Sequence, residues 1–186
     1  MKRVFDIAFS CLCIFSFAIP IVLVAFAIVL TSNGSVLYFS DRVGKGNTIF
    51  KMPKFRSMKM ETPTVATHLM ISPDGYLLPI GGFFRRTSLD EIPQIWSILK
   101  GDMSFVGPRP ALFNQYDLIV MRSEKGVDKL KPGLTGWAQV NGRDDLPICG
   151  KVALDVEYLV RQSFMFDMYI LWLTLLKVVR RDGVSH

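Results

Sequence analysis

The sequence predicts a helix-dominated α+β fold, and three stretches carry that prediction. An apolar run from Val4 to Leu30, broken by Asp6 and Pro20, is long enough for a membrane helix. Two strand-like runs, Val36 to Phe39 and Ile49 to Phe55, flank Gly44-Lys45-Gly46-Asn47, which is the chemistry of a small β-hairpin. Arg85-Arg86-Thr87-Ser88-Leu89-Asp90-Glu91-Ile92-Pro93-Gln94-Ile95-Trp96 places two arginines and two adjacent carboxylates ahead of an apolar helical pattern. The expected division is a membrane helix over residues 1–32 and one further domain over residues 33–186.

Half of the 186 residues are hydrophobic and the formal net charge is +6. A greasy chain with a basic balance suits a membrane surface and anionic ligands. Nucleic acid is not expected as a partner, because the aromatic residues lie mostly in apolar segments rather than among basic ones. Cys11 and Cys13 sit in the apolar N-terminus and Cys149 stands alone, so neither a disulfide framework nor a metal knuckle is expected. His68 and His186 are the only histidines, which leaves little room for histidine-based catalysis.

Lys2 and Arg3 hold the N-terminus on the cytoplasmic side under the positive-inside rule. Arg42, Lys45, Lys51, Lys54, Arg56 and Lys59 follow the apolar run with no acid among them, so the second flank is also cytoplasmic by charge. Pro20 removes a backbone donor and crowds the preceding turn, so the helix can kink there. A kinked helix returning to its own face and a single-pass anchor with a tolerated proline both remain open on charge alone. The basic side chains of the hairpin read as a solvated face or as contacts to anionic headgroups.

Residues 62–82 read as an irregular connection, with Gly81-Gly82 a flexible lead into Phe83-Phe84-Arg85-Arg86. Ser88 to Glu91 fits the capping box, in which the glutamate reaches back to the cap. The helix that follows is expected to bury Ile92, Ile95, Trp96, Ile98 and Leu99, with Pro93 accommodated in its first turns and Gly101 as its stop. Arg109, between Pro108 and Pro110, sits on a stiff non-helical backbone suited to aiming one guanidinium, with a connector whose arginine faces water as the other reading. Leu112 to Lys129 is expected to be helical, with Leu112, Tyr116, Ile119 and Val120 inward. Pro132 to Arg143 reads as a glycine-rich loop, either a simple turn or a ligand loop with Arg143 as its candidate anion contact. Leu154 to Val179 reads as helix, either interfacial and amphipathic, with Tyr169 and Trp172 at the lipid boundary, or buried in a core.

Taken in order, these motifs resemble the small monotopic phosphoglycosyl transferases of bacteria, the bacterial sugar transferase family. The resemblance covers nearly the whole chain. It rests on Lys2-Arg3 with Asp6, Lys54-Phe55-Arg56-Ser57-Met58, Arg85 to Gln94 and Lys100-Gly101-Asp102-Met103-Ser104. It continues through Gly107-Pro108-Arg109-Pro110 and Pro132 to Gly136, and ends at Gln139-Val140-Asn141-Gly142-Arg143. It implies transfer of a sugar 1-phosphate from a UDP-sugar to a polyprenol phosphate with release of UMP, the step that initiates glycoconjugate assembly. Asp90 matches the nucleophile that forms a phosphosugar-aspartyl intermediate. Glu91 matches the residue that helps to hold Mg²⁺, and Arg85 and Arg109 match phosphate contacts.

The residues suit that chemistry. A carboxylate can split one difficult transfer into two as a covalent nucleophile. Its repulsion from a diphosphate calls for Mg²⁺ and fixed arginines, and a positive helix end would add to them. Lys54, Arg56 and Arg143 are further substrate-contact candidates, Lys54 and Arg56 with lipid headgroups as the other option. The resemblance also implies a re-entrant helix and an active site at the cytoplasmic face of the inner membrane, in contact with membrane lipids. Members place serine before the helix-breaking proline, whereas Ile19 precedes Pro20 here; Ser16 offers a hydroxyl one turn earlier. A homodimer paired through apolar surfaces near the membrane is compatible with the sequence, and the sugar is not specified by it. Two other readings carry different expectations: a membrane scaffold indifferent to Asp90→Asn, and an aspartyl phosphohydrolase needing no lipid acceptor.

Overall fold

In the computed structural model, residues 1–63, 73–142 and 146–180 are described. Arg143 and both histidines lie outside them.

The apolar N-terminus forms two helices, α1 (Lys2–Ser16) and α2 (Ala18–Thr31), bent by 60° at Phe17. Pro20 cannot return a hydrogen bond to the Ser16 carbonyl, and its ring crowds that carbonyl. The break falls where this predicts, between the bonds Phe17 N–H to Cys13 O and Ile21 N–H to Phe17 O, both 2.8 Å. Among the described residues, no single helix is long and apolar enough to cross a membrane. Around the bend, Leu12, Phe15, Ile19, Val22, Leu23 and Phe26 point outward and are exposed.

Both ends of this bent pair pack on the rest of the molecule. Phe5 and Phe9 join a core of Ile98, Met103, Phe105, Val106, Tyr158, Phe166 and Ile170. Val24 and Ile28, near the other end, pack with Phe55 and Phe84. Polar groups fix the α1 end. Arg3 donates to the carbonyls of Ile98 and Leu99 at 2.6 and 2.7 Å, and buried Asp6 accepts from Ser104 Oγ and the Phe105 N–H.

Strands β1 (Leu37–Val43) and β2 (Ile49–Phe55) form the antiparallel hairpin, in register from Leu37↔Phe55 to Val43↔Ile49. The turn uses positive φ at Gly46 and Asn47, as its composition predicts. Strand β1 runs beyond Phe39 because polar Asp41 and Arg42 pair across the sheet with Lys51 and Phe50.

Helix α3 (Gly81–Arg86) starts at Gly81, which is a packing glycine rather than a flexible lead. A Cβ there would lie 2.0 Å from the Ser57 carbonyl oxygen. A 3₁₀ turn (Leu89–Glu91) precedes α4 (Gln94–Lys100). Strand β3 (Ser104–Val106) pairs in parallel with β4 (Gly133–Thr135), where the sequence suggested only connector and loop.

Helix α5 (Tyr116–Glu124) is shorter than expected, and its buried residue is Leu118. Of the residues expected inward, Leu112 is buried and Ile119 packs on the core, whereas Tyr116 and Val120 face outward. After α6 (Trp137–Val140), the last segment is two helices, α7 (Ile148–Arg161) and α8 (Phe164–Arg180). Ser163 separates them and accepts the Phe166 N–H on its hydroxyl, as an N-cap does. On α8, Met165, Tyr169, Trp172, Leu175 and Val178 form an exposed apolar stripe at helical spacing.

Candidate active site

The backbone before α4 determines where Asp90 sits. A continuous helix from Ser88 would need the missing Pro93 N–H to reach the Leu89 carbonyl. The chain instead makes a 3₁₀ turn and restarts, with Pro93 as the N-cap of α4. The capping box therefore does not form. Ser88 is left-handed (φ 55°) and makes no side-chain cap bond. Glu91 is turned toward the hairpin, where its Oε1 accepts from Lys54 Nζ at 2.8 Å. Trp96, expected in the buried face, is 63% exposed, because the restart changes the phase of the helix.

Asp90 is 8% exposed. Burial pushes its carboxyl above the ordinary aspartate range, and Glu91 adds to the rise. Lys54, Arg85 and the residue's own backbone N–H oppose it. Asp90 is thus a recessed carboxylate beside a second carboxylate, with cations around both. Arg85 donates to Met58 Sδ at 3.0 Å. Arg109 Nη2 stands 3.7 Å from Glu91 Oε1, near enough for attraction and too far for a hydrogen bond.

The Pro108-Arg109-Pro110 segment is clamped from both sides. Arg122 donates to the Arg109 carbonyl at 2.8 Å and is itself paired at 2.7 Å with Asp155, which is 1% exposed. Arg42 donates to the Pro110 carbonyl at 3.1 Å. The stiffness read from two prolines is therefore completed by two arginines distant in sequence.

Of the sequence candidates, Asp90, Glu91, Lys54, Arg85 and Arg109 come together. Lys54 is part of the site rather than of a solvated basic face. Arg56 is 3% exposed, and its guanidinium donates to Ser32 Oγ and the Asn33 carbonyl, both at 2.8 Å. It fastens the chain leaving α2. Arg143 lies outside the described residues.

Two residues not singled out from the sequence join the site. A small cleft is lined by Arg42, Met52, Lys54, Glu91, Gln94 and Arg109, together with Leu134 of β4. Burial, and next the neighbouring Arg109, push the Arg42 guanidinium down to about 10, so it remains charged at neutral pH. Gln94 is 3% exposed. Arg42 was hidden because β1 was expected to end before it. Gln94 was hidden inside a helical pattern. Cations outnumber carboxylates here, so the cleft attracts anions, while Glu91 supplies the only fixed negative charge among the lining residues.

The profile of the bacterial sugar transferases matches residues 1–181. The chain belongs to the bacterial sugar transferase family. It is 38% identical over 187 residues to the undecaprenyl-phosphate glucose phosphotransferase of Komagataeibacter xylinus, covering 94% of this chain and 35% of that relative. An uncharacterized sugar transferase of Bacillus subtilis is 37% identical, covering 100% of this chain and 91% of the relative. The UDP-glucose:undecaprenyl-phosphate glucose-1-phosphate transferase of Escherichia coli K12 is 38% identical, covering 95% and 40% respectively. This bacterial sugar transferase thus spans nearly all of one relative and two fifths or less of the two whose names state a reaction.

Proposed function

We propose that this chain transfers a sugar 1-phosphate from a UDP-sugar to a polyprenol phosphate through a covalent intermediate on Asp90. The observation that carries the reading is the recessed Asp90, faced by Lys54 and Arg85, beside Glu91, which Lys54 and Arg109 approach. The names of the Komagataeibacter and Escherichia relatives support the acceptor class and the Escherichia name the donor class.

In the first half-reaction an Asp90 carboxylate oxygen attacks the β-phosphorus of the donor. The bond from that phosphorus to the α–β bridging oxygen breaks, and UMP leaves with the electron pair. In the second, a phosphate oxygen of the polyprenol phosphate attacks the same phosphorus. The bond to Asp90 breaks and the carboxylate is restored. The raised affinity of Asp90 for protons marks it as a stronger nucleophile than an exposed aspartate once ionised. Arg85, Arg109 and Lys54 hold the phosphate oxygens and offset the charge that develops on them.

The donor set suits Mg²⁺ bound mainly through substrate. Among the described residues no cluster of three metal-ligating side chains exists, and a hard cation held by one or two carboxylates completes its shell with phosphate oxygens and water. Glu91 would hold it, and bound Mg²⁺ would neutralise diphosphate charge and polarise the phosphoryl oxygens. Lys54 balances Glu91 and orients it toward the cleft.

The membrane part of the proposal is a re-entrant α1–α2 pair, with both ends on the cytoplasmic face. Its support is that Lys2, Arg3 and Asp6 at one end, and Ser32 and Asn33 at the other, are bonded to the same body. The apolar bend and the stripe on α8 are then the lipid contacts. The test is UMP release from a panel of UDP-sugars, with and without polyprenol phosphate. Release that depends on lipid and on Asp90 supports the proposal; continued release without lipid identifies a hydrolase instead.

A further inference from the structure

Arg42, Arg109 and Gln94 face one cleft from three separate elements. Arg42 comes from β1, Arg109 from the proline-framed segment, and Gln94 from the first position of α4. Arg42 spends Nε on Ser40 Oγ and Nη1 on the Pro110 carbonyl. Its Nη2 makes no hydrogen bond among the described residues. Gln94 makes none either, and its Nε2 is buried without a partner. A half-turn about the last side-chain bond presents either end of that amide to the cleft.

A buried amide without a partner costs stability unless a ligand satisfies it. Two like-charged guanidiniums held near one another also cost stability unless an anion lies between them. Both costs are relieved by one kind of ligand, a multiply charged oxyanion. Glu91, the neighbour of Asp90 in the 3₁₀ turn, lines the same cleft as Gln94, so the oxyanion would lie beside the Asp90 carboxylate rather than on it.

We propose that Arg42, Arg109 and Gln94 form a subsite for a phosphate monoester dianion, occupied by UMP as it leaves and by the prenyl phosphate as it arrives. This rests on the proposed function. In that reaction the second half is the chemical reverse of the first with a different monoester, so both monoesters lie opposite Asp90 across the same phosphorus. One set of donors then serves both.

The test uses the full chain in lipid nanodiscs, titrated with UMP, with a short-chain prenyl phosphate and with inorganic phosphate. UMP and the prenyl phosphate should displace one another. Arg42→Gln should weaken both by about tenfold or more, and Arg42→Lys should recover part of the loss. Gln94→Met should weaken both while leaving the melting temperature unchanged or higher, which a merely structural glutamine would not do. Unchanged affinities in both variants overturn the subsite, and so does loss for one monoester alone. A wild type that releases UMP from a UDP-sugar while these variants bind normally keeps the function and removes the subsite. A wild type that never releases UMP, yet binds inorganic phosphate through Arg42 and Gln94, does the reverse.

Discussion

Lys2 Nζ lies 2.6 Å from Asp167 Oδ2, joining the first turn of α1 to the first turn of α8 across 165 residues. Tyr158 donates to the other oxygen of Asp167 at 2.6 Å, and Lys2 also donates to the Val106 carbonyl at 2.9 Å. On the proposed re-entrant arrangement, an N-terminus tied into the core in this way lies on the same side of the bilayer as the rest of the molecule. With Met1→Cys and Ser35→Cys placed separately in a background lacking Cys11, Cys13 and Cys149, both labels should react from the cytoplasmic side only. Labelling from opposite sides would refute the re-entrant arrangement.

The same pair makes a stability prediction. The Asp167 side chain is 4% exposed and that of Lys2 is 29% exposed. Lys2→Met leaves a buried carboxylate without its cation, and should cost toward the lower end of about 3–5 kcal/mol. Asp167→Asn leaves only a partly exposed lysine unpaired and should cost less. Thermal unfolding in detergent compares the two; an equal or reversed order would contradict the account.

Asp90→Asn should abolish transfer and stabilise the protein. Burial raises the folded-state pKa of Asp90 above its unfolded value. The folded state therefore binds the proton more tightly, and stability from this group is present at low pH. It is lost as pH rises from the unfolded value through the raised folded one. At neutral pH the charged carboxylate is a net cost that asparagine removes. Each kcal/mol regained raises the melting temperature by about 2–4 °C. The acid limb of the wild-type pH–rate profile should lie above the ordinary aspartate range. A lower melting temperature for the variant would count against a recessed, ionised nucleophile.

The glycines around β3 and β4 are predicted to be intolerant of any side chain. A Cβ on Gly133 would lie 2.1 Å from the Gly107 nitrogen, and one on Gly136 would lie 2.0 Å from the Gly107 carbonyl oxygen. Backbone cannot swing aside as a flexible side chain does. Gly133→Ala should prevent normal folding or displace the Arg109 segment, seen as loss of folded yield or of phosphate affinity. Gly46→Ala meets no atom within 4 Å and bears only the strain of φ 64°, so about 1 kcal/mol is expected. Similar losses at both positions would show that close packing at Gly133 is not the cause.

What the sequence made legible follows from the reach of local rules. Pro20 and the two basic flanks pointed to a bend, and Gly46 and Asn47 to a hairpin turn, because each effect acts within one turn of chain. Asp90, Glu91, Arg85 and Arg109 were legible through their order along the chain. The capping box failed because Pro93 interrupts the helix that Ser88 would have capped. Strands β3 and β4 have three residues each, too few for an alternating pattern, and their pairing depends on Gly107, Gly133 and Gly136 meeting across the fold. Arg42 and Gln94 entered the site through tertiary contacts that no spacing encodes.

The central claim is covalent chemistry on Asp90, and peptide mass spectrometry after a single exposure to UDP-sugar tests it most directly. In the absence of polyprenol phosphate, the account predicts one equivalent of UMP and a sugar-phosphate adduct on the peptide that carries Asp90. Adding the acceptor should remove that adduct and yield the prenyl diphosphate sugar. UMP release that requires both substrates together, with no adduct at any time, would contradict the account and indicate direct transfer between them.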